Sequence, residues 1–256
     1  MKDNSKYYLA DHYSWVKTET GTFACAHETA DGLVYSVLSQ DQHTLLEGNA
    51  PYTEFKKNDK LVDSPSAAHI YRMQCPNLWD CIGTNIIRQV IRANQAKNMY
   101  RTFSKSIGEK VSLTGNVHYY LFPSLQRVLE VSDSAYQRMG MSFKKDALRN
   151  AARFILEHAD RLEKIQAPDL LDELMKIRRI GSWTARATVA DYTNELATYP
   201  YGDAAIRLYA REALPRHEWP KEEAAFIQEL HKVAGAENMS SSIATLIMIH
   251  ETRRDQ

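Results

Sequence analysis

Residues 170–214 read LLDELMKIRRIGSWTARATVADYTNELATYPYGDAAIRLYAREAL and carry the chain's clearest architectural signal. Leu170, Leu171, Leu174 and Ile177 recur at spacings of three and four, which predicts a helix over residues 168–177 with one buried face. Ala185, Thr188, Val189 and Tyr192 repeat that spacing in a second helix beginning near Ser182. Arg178-Arg179-Ile180-Gly181 is left between them as a tight turn, so the stretch is a hairpin of helices. A loop, Tyr199-Pro200-Tyr201-Gly202, follows, and Asp203 opens a third helix. The amides in the first turn of the second helix have no partners inside it, and such amides bind a phosphate whatever the base sequence.

Outward from the hairpin, the C-terminal side predicts two closing helices, over residues 222–233 and 242–250. On the N-terminal side, residues 140–146 open a helix to Ala159, with Ala147, Ala151, Phe154 and Ile155 on its buried side. Lys144 and Lys145 in its first turn read as phosphate contacts or as a solvated face. Pro123-Ser124 starts a helix carrying Leu125, Val128 and Leu129, and residues 96–107 form another amphipathic helix. Leu78, Ile82, Ile86, Val90 and Ala93 predict a long, mostly buried helix over residues 79–92, either uninterrupted or broken by a loop near Arg88-Gln89.

Before Pro76 the pattern changes to short alternating runs at residues 7–9, 22–26, 33–38 and 43–46, separated by Thr20-Gly21, Asp31-Gly32 and Gly48-Asn49. These predict a small antiparallel sheet. Asp31-Gly32 marks the firmest hairpin, between residues 24–26 and 34–36. Residues 54–63, with Lys56, Lys57 and Lys60, read as an exposed connection, and residues 67–73 as a helix or linker beyond a boundary near Ser64-Pro65.

The 256 residues contain 44% apolar and 25% charged side chains, ordinary for a soluble globular chain. No apolar run approaches the ~18 residues of a membrane span, and the first residues lack a signal-peptide core, so a chain free of membrane and a location inside the cell, cytoplasmic or nuclear, are expected. Net charge is 0, which argues against indiscriminate coating of nucleic acid. Cations nevertheless gather at residues 84–110 and 176–186, as two basic patches or two solvated helix faces. Cys25, Cys75 and Cys81 are too few and wrongly spaced for a zinc site, and are expected as buried thiols with no bound metal.

Ile180-Gly181-Ser182-Trp183-Thr184-Ala185 and the Gly202-Asp203 loop, with Asp203 standing 22 positions after Gly181, resemble the signature of the helix-hairpin-helix DNA glycosylases. The resemblance runs in order from about residue 76 to 250. It is nearest to the inducible bacterial 3-methyladenine DNA glycosylases, because Trp183 stands where lyase-active relatives carry lysine. It implies an α+β, predominantly helical fold, with a small N-terminal antiparallel sheet (residues 1–66) and two helical subdomains (residues 67–256) flanking a cleft. It also implies double-stranded DNA containing a damaged base as partner, action as a monomer, and no cofactor beyond a monovalent cation at the hairpin.

A base inside a duplex is unreachable, so such an enzyme rotates the nucleotide out at a cost of about a few kcal/mol. The resemblance assigns the phosphate anchor to Arg179, Ile180, Gly181, Ser182, Thr184 and Arg186, and the wedge that fills the vacated stack to Gln89 and Val90 beside Arg88. Arg88 and Arg179 occupy positions where the family usually has glycine. Asp203 becomes the carboxylate that stabilises positive charge on the deoxyribose or orients water; its plainer role is a helix N-cap, and the two are compatible. Trp183 cannot form a Schiff base, which implies water as nucleophile and no strand cleavage. Trp183, Tyr201 and Met239 are the pocket candidates, with a core tryptophan as the alternative for the first. Ala187 and Ala204 replace aromatic residues of relatives, implying a wide pocket. The resulting expectation is excision of an alkylated purine; the alternatives are excision of bulky or oxidised bases, and a hairpin protein that binds DNA without chemistry.

Overall fold

The computed structural model describes residues 6–17, 23–29, 32–38, 45–47, 52–62, 68–112, 118–162 and 164–254. Its strands are β1 (Lys6–Leu9), β2 (Val16–Lys17), β3 (Phe23–Thr29), β4 (Gly32–Leu38), β5 (Leu45–Glu47), β6 (Tyr52–Lys56), β7 (His69–Met73), β8 (Lys110–Ser112) and β9 (His118–Tyr120). The helices are α1 (Leu78–Arg88), α2 (Ala93–Ile107), α3 (Leu125–Glu130), α4 (Asp133–Arg138) and α5 (Lys145–Leu162). They continue with α6 (Ala167–Met175), α7 (Ser182–Thr193), α8 (Ala204–Ala213), α9 (Glu223–Ala234) and α10 (Met239–Arg254). The α+β, predominantly helical class is as expected. Among the described residues no helix is long and apolar enough to cross a membrane.

The chain forms two compact units that do not follow its order. One gathers β1, β6, β7 and everything from Asn194 onward; the other holds the described residues of His12–Pro51 and Cys75–Thr193. A division at residue 66 would therefore separate β6 from its hydrogen-bonded neighbour β7.

In the first unit, β7 pairs in parallel with β1 and antiparallel with β6, giving the order β1-β7-β6. The segment read as an exposed connection, residues 54–63, starts inside β6, and the one read as helix or linker, residues 67–73, contains β7. Tyr52, Glu54 and Lys56 line the exposed side of β6 and the lysines that follow it mask the alternation, although Phe55 is buried. Pairing between β1 and β7 spans sixty-odd residues and leaves no local mark. Arg72 is buried and binds Asp11 through two bonds of 2.9 Å and Asn194 Oδ1 at 2.6 Å; Asn194 Nδ2 returns a bond to Arg72 O. Buried charge is tolerated there because each of the three guanidinium nitrogens has an acceptor, two of them on a carboxylate. Asn58 fastens the 3-10 turn Asp59–Leu61 to α10 and the end of α9, through Thr245, Ser242 Oγ and Ala234 O.

In the second unit, β2-β3-β4-β5 form an antiparallel sheet and β8-β9 a separate ribbon. The expected β3-β4 hairpin is present, with Cys25 opposite Ser36 and Thr29 opposite Gly32; the turn residue Asp31 lies outside the described residues. The helical core collects Ile82, Ile86, Phe103, Val128, Tyr136, Leu148, Leu170, Leu174, Ala185 and Val189. Gly83 is needed there: a Cβ would stand 2.2 Å from the Phe122 ring, which packs among Trp79, Tyr100 and Phe103. All three cysteines are buried, as expected.

Candidate nucleic-acid interface and active site

The hairpin forms where the spacing placed it. Helix α6 ends at Met175, Ile180 N–H closes the turn on Ile177 O at 3.0 Å, and α7 begins at Ser182. Ile180 is buried and anchors the turn, while Gly181, Ser182 and Arg186 are exposed. Ser182 Oγ accepts a bond from Arg186 Nε at 3.3 Å. Arg179 adopts φ 73°, the left-handed conformation that glycine adopts freely and other residues resist. Its guanidinium reaches Asp146 at 3.3 Å with both side chains about half exposed, a pairing worth at most about 1 kcal/mol. Arg179→Gly is therefore expected to raise the thermal unfolding midpoint slightly, by relieving about 1 kcal/mol of strain; a lowered midpoint in calorimetry would show that the ion pair with Asp146 outweighs the strain.

Gly181 has an ordinary φ, and a Cβ built on it meets nothing within 4 Å. Neither backbone conformation nor packing demands glycine here. The open space lies at the first turn of α7, whose amides are without helical partners.

The break in the long helix is real. Helix α1 stops at Arg88, Gln89 is its C-terminal cap, and Val90 stands at φ 61° and 100% exposed. A β-branched residue in this conformation is strained by about 1–3 kcal/mol, and strain of this kind gathers at functional sites. Gln89 ties the break to the hairpin, because its Nε2 donates to Thr184 Oγ1 at 2.8 Å and to Arg179 O at 3.3 Å. Lys144, read from sequence as a phosphate contact or a solvated cation, is neither: it is buried, and its Nζ donates to Gln89 O at 2.6 Å. Burial pulls its pKa down to about 8. Lys145 is likewise engaged, by Asp133. Phe143, next to the buried lysine, is 56% exposed. Sequence reading passed over this second apolar tip, because a lone aromatic in a short loop carries no periodicity.

Trp183 is half-buried, with the Arg88 guanidinium 5.5 Å from its ring centroid. Arg88 also bonds Asn85 Oδ1 at 2.9 Å and approaches the buried Asp191 carboxylate at 3.4 Å. One ring face is thus in use by a cation of the protein itself.

Asp203, Tyr201 and Met239 belong to the other unit. Asp203 caps α8, its carboxylate accepting from Ala205 N–H at 3.3 Å, and it is half-buried. Asp203 N–H donates to Pro200 O of the preceding loop at 3.0 Å. Tyr201 is held nearby, its hydroxyl donating to Ala197 O and its ring edge-on to His231 at 5.4 Å. Met239 begins α10 and is buried.

No family model matches the chain. It is 24% identical over 163 residues to a DNA-3-methyladenine glycosylase of Bacillus subtilis (strain 168), covering 61% of this chain and 53% of that protein. The chain thus spans about half the length of that curated relative. A solved 3-methyladenine DNA-glycosylase from Archaeoglobus fulgidus superposes with a TM-score of 0.68 at 16% identity, over 92% of this chain and 89% of the other. The fold is that of the helix-hairpin-helix DNA glycosylases. An 8-oxoguanine glycosylase/lyase from Clostridium acetobutylicum, solved with double-stranded DNA, shares this glycosylase fold at TM-score 0.63 and 15% identity, over 96% and 89% of the two chains.

Proposed function

We propose that the protein is a monofunctional DNA glycosylase, acting as a single chain on double-stranded DNA to remove a damaged purine by hydrolysis of its N-glycosidic bond. The observation that carries this reading is the hairpin turn tied to an exposed wedge: Arg179 in a strained conformation, Gly181 facing open space, and Gln89, next to Val90, bonded to Arg179 O and Thr184 Oγ1. The likeness to 3-methyladenine glycosylases supports it. In this reading the α7 amides hold a phosphate, Val90 enters the stack, and Asp203 stabilises positive charge on the sugar while water attacks. With an indole at position 183, no amine attacks from there and the strand is left intact.

The test is release of free 3-methyladenine or 7-methylguanine from methylated duplex DNA, with no strand cleavage. A second reading, a neutral bulky or oxidised lesion, is favoured by Arg88 over Trp183, because a ring already facing a guanidinium offers less to a cationic base. Release of an uncharged adduct such as ethenoadenine, in preference to methylated bases, would select it.

The anchor has its own prediction. Gly181→Leu should leave the unfolding midpoint nearly unchanged, because the position is open, while weakening duplex binding about tenfold or more for all sequences alike. Titration of several unrelated duplexes measures this, and a sequence-selective loss would contradict the phosphate role.

A further inference from the structure

We propose, building on the glycosylase activity proposed above, that Arg88 fits the site to uncharged purines by stabilising the negative charge such a base carries as it leaves. Asp203 answers the positive charge on the sugar, and the departing base has a charge of its own to be met. When the C1′–N9 bond of a neutral purine breaks, the electron pair stays on N9 and the base departs as an anion. Water adds its oxygen to C1′ and gives up a proton, which solvent returns to the base. A purine methylated at N7 starts as a cation, so the same electron pair only neutralises it. A fixed guanidinium, charged at every working pH, therefore assists the first departure and repels the second base before it reacts.

The charge is placed for this role. Arg88 is the last residue of α1, which packs against α7. Its guanidinium lies 5.5 Å from the ring centroid of Trp183, in the first turn of α7, and its Nη1 approaches Asp191 Oδ2 at 3.4 Å, toward the other end of that helix. Trp183 and Asp191 stand eight positions apart on α7, roughly 12 Å by helical rise, so the ion pair has its positive end at the indole. A base stacked on Trp183 meets this charge across an aromatic ring, and a charge acts more strongly through protein than through water.

Asn85 and Asp191 are the positioning residues. Asn85 is 0% exposed, and its Nδ2 donates to Cys81 O at 3.0 Å and to Asp191 Oδ2 at 2.9 Å. Both amide hydrogens are then used, and Oδ1 is left to accept from Arg88 Nη1 at 2.9 Å. Asp191 is 3% exposed, and a carboxylate so buried requires a cation. Arg88 keeps 24% of its side chain exposed, so its charge is anchored in the core and still reaches the surface.

The experiment is single-turnover release by the full chain from one duplex carrying hypoxanthine, ethenoadenine or 7-methylguanine at the same position. The wild-type protein is expected to release an uncharged base, and Arg88→Met to lower the ratio of uncharged-base to 7-methylguanine release by about thirtyfold or more. A ratio cancels losses of folding or duplex affinity, which fall on all three substrates alike, and a mere counterion of Asp191 would leave it unmoved. Arg88→Met strands a buried charge on Asp191, so the double variant Arg88→Met with Asp191→Asn repeats the measurement in a core lacking both charges, with the same shift expected. Arg88→Lys, which keeps the charge, should return the ratio to within about fivefold of wild type. An unchanged ratio in the folded double variant overturns the proposal. So does a wild-type protein that releases 7-methylguanine alone, while the glycosylase activity then stands. Release of none of the three bases overturns that activity, and this assignment with it.

Discussion

Asp203→Asn is expected to lower base release from damaged duplex DNA by about a hundredfold or more while leaving binding to abasic-site duplex within about threefold. As the glycosidic bond lengthens, positive charge develops on the deoxyribose, and a fixed carboxylate stabilises it more than it stabilises the neutral ground state. Asparagine retains the size and the acceptor oxygen but not the charge. It can therefore keep the bond from Ala205 N–H and cap α8, so loss of stability should stay within about 1 kcal/mol. That separation is the diagnostic. Were Asp203 only a cap, the variant would turn over normally, and Asp203→Ala would be the damaging change through unfolding. Single-turnover release, read beside thermal melts of both variants, distinguishes the roles. A wild-type protein that releases no base fails the functional proposal itself, before the carboxylate is tested.

What could be read from the sequence was local. The α6-turn-α7 hairpin and the cap at Asp203 lie in continuous stretches, where spacing or one capping side chain settles the outcome, whereas the end of α1 at Arg88 was one of two readings that spacing left open. The segments that escaped are those whose partners are distant. β7 looks neither strand-like nor helical by itself and becomes a strand because β1 and β6 flank it. Lys144 reads as a surface cation, yet its ammonium turns inward to a carbonyl of another loop. His12, Cys75 and Cys81 lie far apart in the chain or carry no shared pattern, and their proximity is made by folding. Arg179 shows the converse. Its replacement of glycine was legible as a strain, and the strain is present at φ 73° rather than avoided by another turn.

Val90 should show that strain being exchanged for function. Val90→Gly removes a β-branched side chain from φ 61°, and the side chain is fully exposed, so no packing is lost. Relief of about 1–3 kcal/mol exceeds the ~0.5–1 kcal/mol by which glycine's freedom stabilises the unfolded chain. The unfolding midpoint should then rise by about 2–4 °C. Base release should move the other way. Without an apolar tip to occupy the vacated stack, release from fully paired duplex is expected to fall about tenfold or more, and release from mispaired or single-stranded damage far less, because those bases are already partly unstacked. A residue kept for stability could not produce this pair of opposite changes. If the midpoint falls, Val90 packs against something and is not strained. If it rises while paired and mispaired substrates are processed as before, the strain at this position serves another purpose, and the exposed Phe143 becomes the residue to replace next, since Lys144 holds the two loops together through Gln89.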